Sequence, residues 1–184
     1  KRQSKCPECK TELVRGEDEA KHFCPNQWSC PPQIKGNMTH FTSRKAMNID
    51  SLGEETIGLL YEKGYLKNIA DIYELHKYKN ELMEIDRMGE TSVTNLLAGI
   101  EESKDVPFER VLYAIGIRHV GETLAKKLAI KLRTIDAILN ASEETLTATN
   151  DIGKQVAISI KIYFSKKNNK EVIDRLKKYG LQLE

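Results

Sequence analysis

Beyond about residue 36, apolar residues recur at intervals of three and four, and tight turns interrupt the runs. This spacing is typical of short amphipathic helices. Pro107 suits a first helical turn, and Gly180 suits a C-terminal cap. The pattern predicts helices at about 51–63, 70–84 (with room for a break), 89–104, 107–115, 121–132, 134–140, 142–148, 153–165 and 168–179. Alternating, strand-like segments are nearly absent here, so we expect an all-α body.

The first 36 residues have a different composition. They are rich in Pro, Cys, Gln and Asn and lack helical periodicity. The shift near Gly36 predicts a domain boundary. The predicted fold is therefore mainly α, with a small irregular four-cysteine module over residues 1–36 followed by a helical domain over residues 37–184.

A pattern centred on glycine repeats four times in the helical part. The residue before the glycine and the residues four and seven after it are all apolar. The four glycines, Gly53, Gly89, Gly121 and Gly153, are spaced by 36, 32 and 32 residues. With 40% apolar composition, only about 0.7 of the 11 glycines would meet these conditions by chance. We therefore predict four helical hairpins, near residues 49–60, 85–96, 117–128 and 149–160.

Each of these glycines is predicted to lie at the N-terminus of its hairpin's second helix. Backbone N–H groups there lack partners within the helix, and a residue without Cβ lets an external group approach them. A phosphate fits that description. The repeat resembles the helix-hairpin-helix motif, which holds the sugar-phosphate backbone of duplex DNA without reading its sequence. The alternative is a purely structural array in which the glycine serves only the turn.

Basic side chains lie beside the predicted hairpin tips. We predict DNA contacts from the four glycines and from Arg87, Arg118, His119, Lys126 and Lys154. An ordinary solvated face is the alternative for these charges. The motif usually has a second glycine two residues earlier, where this chain has Ser51, Arg87, His119 and Asp151. Asp151 would repel phosphate unless it only caps the helix, so we expect the second and third hairpins to bind most and the fourth least.

All four cysteines lie in the first 36 residues, at Cys6, Cys9, Cys24 and Cys30. The C-x2-C pair places two thiolates on one turn at the geometry of a tetrahedral zinc site, and the second pair completes the site. Four protein ligands leave no open position, so the predicted zinc is structural. Two disulfides are the alternative, and His22 could replace one sulfur. Trp28 is expected to plug this module rather than to stack on a base.

The overall charge limits how the chain could bind nucleic acid. The formal net charge is +2, so binding must depend on local patches or on backbone geometry. No apolar run reaches the length of a membrane span, and no signal sequence precedes the cysteines. We expect a soluble intracellular protein without a membrane partner. The chain starts at Lys1, which suggests a piece of a longer protein.

A four-cysteine module followed by four hairpins resembles the middle to C-terminal part of bacterial NAD-dependent DNA ligases. The segments HFTSRKAMNIDSLG (40–53) and LYAIGIRHVGETLAKKLA (112–129) are the most characteristic, and the resemblance covers essentially the whole chain. It implies a cytoplasmic parent enzyme that uses NAD+ to adenylate a lysine and then seals nicks during DNA replication and repair. For these residues it implies binding of nicked double-stranded DNA from the minor-groove side.

The ligase chemistry itself has no counterpart in these 184 residues. The family's adenylated lysine lies in a K-x-D-G motif of an upstream nucleotidyltransferase domain, and neither that motif nor a nucleotide-phosphate loop occurs here. The family's oligonucleotide-binding and BRCT domains would likewise belong to the rest of the parent chain. We expect no catalytic residue, no NAD+ binding and no ligation by these residues alone. A zinc and hairpin accessory subunit of another DNA-repair protein, and a protein-interaction scaffold that binds no DNA, are the alternatives.

Overall fold

The computed structural model describes residues 4–15, 20–26 and 28–184, most of which are helical. The elements are α1 (Pro31–Thr42), α2 (Glu54–Glu62), a 3₁₀ helix (Ile69–Tyr78), α3 (Lys79–Met83), α4 (Glu90–Ser103), α5 (Phe108–Ala114), α6 (Glu122–Leu132), α7 (Ile135–Asn140), α8 (Glu143–Thr147), α9 (Lys154–Ser165) and α10 (Lys167–Lys178). Within the described ranges, extended pairing is limited to two isolated antiparallel bridges, Lys5–Glu12 and Val14–Phe23. The prediction of a mainly α fold with a small four-cysteine module is confirmed.

All nine predicted helical segments form, and the segment predicted at 70–84 is divided into the 3₁₀ helix and α3. Asn68 is the N-cap of the 3₁₀ helix, and its side chain accepts a hydrogen bond from the Ala70 N–H at 2.9 Å. The Asp71 carboxylate in turn accepts one from the Asn68 N–H at 3.3 Å, which completes a capping box. Gly180 follows α10 with a φ of 88°, so it serves as the predicted C-terminal cap.

The prediction that helical structure is absent before residue 36 is wrong, because α1 begins at Pro31. Proline suits a first turn, where the missing N–H would have no partner within the helix. Ile34, Met38 and Phe41 lie on one buried face, and their packing stabilises a segment of weak helix propensity. Helix α1 runs through residue 36. The division into domains at 1–36 and 37–184 stays a prediction.

The repeated apolar positions of the four hairpins build the core of the helical part. The twelve residues one before, four after and seven after the glycines are all buried, each at most 7% exposed. They are Leu52, Ile57, Leu60, Met88, Val93, Leu96, Val120, Ala125, Leu128, Ile152, Ala157 and Ile160. The cysteines form a separate and much smaller apolar cluster. The pattern that marks the repeats is therefore also the packing pattern of the core.

A polar network holds the last helix against the middle of the chain. The guanidinium of Arg175 on α10 lies 2.8 Å from the carboxylate of Asp71 and 3.2 Å from that of Glu74. The Tyr179 hydroxyl donates a hydrogen bond to Glu74, and this bond is the main reason that the pKa of Glu74 is lowered. Because these partners are about a hundred residues apart, the network joins the helices after the fourth hairpin to those after the first.

Thr149 occupies the position at which the first three hairpins have isoleucine. It is only 4% exposed, and its hydroxyl has no hydrogen-bond partner in the described part of the chain. A buried unpaired polar group costs about 1–3 kcal/mol. We expect Thr149→Val, which keeps the shape and removes the hydroxyl, to raise the free energy of unfolding by about 1 kcal/mol in urea denaturation.

The same substitution at Thr134 provides a control of opposite sign. The Thr134 hydroxyl accepts a hydrogen bond from the Ala137 N–H at 3.0 Å and caps α7. Thr134→Val should therefore destabilise the protein by about 1 kcal/mol. Destabilisation by both substitutions would contradict the assignment of Thr149 as unpaired.

Candidate nucleic-acid interface and metal centre

The four predicted glycines are the N-terminal caps of the second helix in each hairpin. They precede α2, α4, α6 and α9 directly, and each glycine is exposed to solvent. Among the described residues, no side chain caps any of these four helices. Three helices elsewhere are capped, by Asn68, Thr134 and Ser142. The hairpin helices thus present uncapped N–H groups and the positive ends of their dipoles to solvent.

The protein's own conformation does not require glycine at these four positions. Their φ values lie between −81° and −87° with extended ψ, a conformation open to any residue. A Cβ built on any of them meets no described atom within 4 Å. Serine, aspartate or asparagine would cap the helices better. Neither the backbone conformation nor the packing of the described residues therefore accounts for glycine at these four sites.

The turn before each glycine closes in the same way. The N–H of the preceding apolar residue donates to the carbonyl oxygen three residues earlier, at 3.0–3.1 Å in every copy. Two residues before the glycine, Arg87, His119 and Asp151 have φ values of 66–69°, in the left-handed region that favours glycine. Ser51 does not share this conformation. By backbone geometry the fourth hairpin therefore groups with the second and third, and the first is the exception.

Charge distinguishes the four helix starts. The first turns of α2, α4 and α6 carry glutamates, whereas α9 begins with Lys154 and has no acidic residue in its first turn. The Asp151 carboxylate, which we expected to repel phosphate, forms an ion pair with Lys127 of α6. The pair offsets the charge of Asp151 and joins the third and fourth hairpins. The N-terminus of α9 therefore has a more favourable local charge for an anion than the N-termini of α2, α4 and α6.

The predicted basic side chains fall into two groups. Arg87, Lys126 and Lys154 are exposed beside the second, third and fourth hairpins. Arg118, in the third hairpin, is also exposed, but its Cζ lies over the Phe23 ring of the cysteine module, 3.4 Å from the ring centroid. His119 follows it in the left-handed turn. No sequence pattern indicated the contact between Arg118 and Phe23, because it depends on how distant segments pack.

The four cysteine sulfurs converge on one point. All four Sγ atoms lie within 4.8 Å of one another, with 3.5 Å between Cys9 and Cys24 and 3.8 Å between Cys6 and Cys30. Sulfurs bound at about 2.3 Å to a tetrahedral zinc are about 3.8 Å apart, whereas disulfide sulfurs are about 2 Å apart. The cysteines are free thiols, so the disulfide alternative is not supported. His22 is not in the cluster.

The surroundings of the four thiols indicate that their ionised forms need a bound cation. Hydrogen bonds from the Thr11 hydroxyl and N–H lower the pKa of Cys9 to about 6. Burial raises the pKa of Cys30 to about 12 and also raises that of Cys24. Three buried thiolates and the partly buried thiolate of Cys9 cannot lie side by side without a positive partner. A soft divalent ion such as zinc satisfies the whole set at once.

Trp28 does not plug the cysteine module, which corrects the prediction. Its ring is partly buried and packs against the core of the helical part rather than against the cysteine cluster. The indole N–H is buried and has no hydrogen-bond partner among the described residues. Trp28 comes just before Cys30 and α1, so it anchors the end of the module to the helices.

Comparisons with known proteins agree with this arrangement. Residues 5–31 match the family model of the NAD-dependent DNA ligase C4 zinc finger domain, and residues 110–173 match that of the helix-hairpin-helix motif. The second match contains the third and fourth hairpins. The four-cysteine cluster is thus a ligase-type zinc finger, and the helical part is a helix-hairpin-helix domain.

Relatives that span almost the whole chain are DNA ligases. Those of Bacteroides fragilis and Cytophaga hutchinsonii are 51% identical over 178 and 179 residues, and that of Christiangramia forsetii is 50% identical over 179. Each match covers 97% of this chain but only 26%, 26% and 27% of the relative. The chain is therefore homologous to the zinc-finger and helix-hairpin-helix region of bacterial DNA ligases, and it spans about a quarter of their length. In the described ranges, every helix is too short or too polar to cross a bilayer.

Proposed function

We propose that this chain binds nicked duplex DNA through its sugar-phosphate backbone, without sequence preference, as part of a bacterial NAD-dependent DNA ligase that seals the nick. The hairpin glycines let phosphates reach the uncapped N–H groups of α2, α4, α6 and α9. The third and fourth hairpins, joined by the pair between Lys127 and Asp151, form the main contact. The relatives are DNA ligases of bacteria, so we place the parent enzyme in the bacterial cytoplasm.

One observation carries this proposal. Among the described residues, no side chain caps the four exposed helix N-termini, and each begins with a glycine that neither the backbone nor the described packing requires. A structural hairpin array does not account for that combination. An anion that occupies the space of the absent Cβ does.

Side chains near the tips would add to these backbone contacts. Arg87, Lys126 and Lys154 are placed to pair with phosphates beside the second, third and fourth hairpins. With a net charge of only +2, long-range attraction is weak. At each helix terminus the helix dipole contributes about 0.3–1 kcal/mol in addition to the hydrogen bonds from its N–H groups, so several hairpins must act together to hold the duplex. Affinity should lie in the range of non-specific duplex binding, with a Kd of about 10⁻⁴ to 10⁻⁶ M.

The zinc finger has a structural role in this proposal. Cys6, Cys9, Cys24 and Cys30 would hold one zinc ion, which crosslinks a module with little apolar core of its own. Adenylation by NAD+ would take place in the nucleotidyltransferase domain of the parent ligase, which acts with its oligonucleotide-binding and BRCT domains. We propose no catalytic group within this chain.

A salt series with fluorescence anisotropy tests DNA binding. Labelled nicked duplex should bind with an affinity that falls steeply between about 50 and 200 mM salt. Lys154→Ala should reduce the slope of log K against log salt by about one, because one phosphate contact is lost. Lys170→Ala, on the exposed face of α10, is the matched control and should leave the slope unchanged.

Two results would count against the proposal. Absence of salt-dependent binding by the unmodified chain would favour a protein-interaction scaffold. Equal slopes of log K against log salt for Lys154→Ala and Lys170→Ala would show that Lys154 does not contact a phosphate. Intact duplex and single strands serve as comparison ligands and show whether the nick itself matters.

Incubation with NAD+ tests the absence of ligase chemistry in these residues. The sequence has no K-x-D-G motif, so we expect no covalent AMP adduct by intact-protein mass spectrometry. A full-length bacterial ligase under the same conditions is the positive control. A mass increase of one AMP on this chain would show that an adenylation site had been overlooked.

A further inference from the structure

We propose that His40 is a positioning residue for DNA binding, because its imidazole fixes the end of α5 from which the turn of the third hairpin starts. The inference rests on the proposed function and deepens it. It assigns a task to the first residue of the segment HFTSRKAMNIDSLG, which neither the metal centre nor the hairpin glycines explain. It also makes α1 the element that connects the cysteine module with the third hairpin.

The imidazole of His40 contacts the backbone of α5 directly. Its Nε2 lies 2.8 Å from the Tyr113 carbonyl oxygen. A carbonyl oxygen only accepts hydrogen bonds, so Nε2 must carry the proton and donate it. The rings of His40 and Tyr113 also pack edge to face, with their centroids 4.6 Å apart and their planes at 70°. His40 therefore holds Tyr113 at two points, one on the backbone and one on the ring.

The bonded carbonyl belongs to the last turn of α5, where the third hairpin begins to turn. The same oxygen accepts a hydrogen bond from the Gly116 N–H at 3.1 Å. Gly116 has a φ of 74°, and a Cβ built on it would lie only 2.9 Å from the side-chain oxygen of Asn37. Helix α1 thus approaches this turn closely at a second point, three residues before His40.

The turn leaves little freedom between the end of α5 and the N-terminus of α6. Ile117 and Val120 are buried, and the Val120 N–H donates to the Ile117 carbonyl at 3.0 Å. Gly121, the N-cap of α6, comes next. Because the connection is short, buried at these two positions and hydrogen-bonded, the placement of the end of α5 determines where the N–H groups of α6 lie.

Helix α1 gives His40 a fixed position. Met38 and Phe41 of the same helix are completely buried in the core. Cys30, one of the four clustered sulfurs, is the N-cap of α1, and at 1.5 Å per residue His40 lies about 15 Å further along the helix axis. A packed helix with one end at the metal centre and the other on α5 is a rigid support for the third hairpin.

Two substitutions separate the hydrogen bond of His40 from the bulk of its side chain. His40→Leu removes the donor, whereas the amide of His40→Gln can still donate to the Tyr113 carbonyl. We expect His40→Leu to weaken binding of nicked duplex about two- to tenfold, as for loss of one hydrogen bond, and His40→Gln to recover most of the loss. Thr39→Val is the matched control, because the Thr39 hydroxyl donates to the Lys35 carbonyl within α1. It should bind like the unmodified chain.

Double-mutant cycles show whether the effect runs through the third hairpin. In the Gly121→Val background, where that hairpin no longer contributes, His40→Leu should cause no further loss. In the Gly153→Val background, which changes the fourth hairpin, the loss should be as large as in the unmodified chain. Zinc content and unfolding temperature are measured for every variant. Should His40→Leu fail to fold, His40→Asn replaces it, because the shorter amide does not reach the carbonyl.

Nitrogen-15 NMR of the imidazole tests the geometry in the unmodified chain. In the neutral ring of His40, identified by the signals that His40→Gln lacks, Nε2 should carry the proton. A proton on Nδ1, normal binding by His40→Leu, no recovery by His40→Gln, or equal losses in the two glycine backgrounds would overturn the inference while leaving DNA binding intact. Absence of salt-dependent binding by the unmodified chain would instead overturn the proposed function.

Discussion

Replacing Gly121 with valine is expected to weaken binding of nicked duplex about tenfold or more, while the unfolding temperature stays nearly the same. The fold tolerates the change because Gly121 has an extended backbone and a Cβ there meets no described atom within 4 Å. DNA binding does not tolerate it, because the added methyl groups occupy the space through which a phosphate reaches the N–H groups of α6. Hydrogen bonds to a charged group contribute about 1.5–3 kcal/mol each, so loss of one accounts for a tenfold effect.

A pair of alanine variants gives a matched control for this experiment. Gly121→Ala and Gly58→Ala add the same methyl group, and neither new Cβ meets a described atom within 4 Å. Gly58 lies inside α2, away from its N-terminus, so its substitution should leave binding unchanged and stabilise the helix by up to about 1 kcal/mol. Anisotropy at one fixed salt concentration measures both variants. If Gly121→Val binds as tightly as the unmodified chain, the hairpin mechanism is wrong.

Gly153→Val extends the same test to the fourth hairpin. Its charge and geometry are at least as favourable as those of the third, so we expect a comparable loss of affinity. The sequence had placed this hairpin last, because Asp151 stands where the family motif has glycine. If Gly153→Val binds nicked duplex as tightly as the unmodified chain, the sequence-based expectation that the fourth hairpin contributes least to DNA binding is correct.

Cys30→Ser is expected to abolish tight zinc binding and to unfold the cysteine module. Structural zinc sites of this kind contribute about 10–16 kcal/mol of apparent binding free energy, and a small module with so little apolar core folds only with its metal. Cys30 is also the N-cap of α1, a position that serine suits well. The helix should therefore persist, and the loss can be attributed to the metal. Zinc per chain by elemental analysis should fall from one to well below one.

Proteolysis and pH provide the accompanying measurements. Limited proteolysis should cut Cys30→Ser within the first thirty residues, whereas the neighbouring variant Ser29→Ala should resist. Protons compete with zinc for thiolates, so zinc is released as pH falls. Burial raises the pKa of Cys30, so in the metal-free protein its thiol stays protonated well above neutral pH. Retention of stoichiometric zinc by Cys30→Ser would show that this cysteine is not a ligand.

Local rules are sufficient to predict the helical hairpins. The apolar positions before and after each glycine are buried as expected, since a helix with a period of 3.6 residues can hide only one face. The cysteine spacing is likewise enough to predict a zinc site, because ligand type and turn geometry are properties of short segments. Family resemblance then connects the two parts to DNA ligases.

Other features depend on packing between distant segments. Helix α1 forms in a sequence of weak propensity because Met38 and Phe41 are buried against the core. The stack of Arg118 on Phe23 and the pair of Lys127 with Asp151 join residues that no periodicity relates. Packing between distant segments also decides that Trp28 contacts the core of the helical part and not the cysteine cluster.

The positions of the nine predicted helical segments, the glycine-led repeats and the cysteine ligands follow from short-range chemistry, which the linear order of residues contains in full. The openness of the four helix starts and the partners of Arg118 and Asp151 depend on which surfaces the assembled helices cover. Whether a backbone N–H group is exposed depends on whether any other segment packs against it, and this is decided only when the whole molecule has folded.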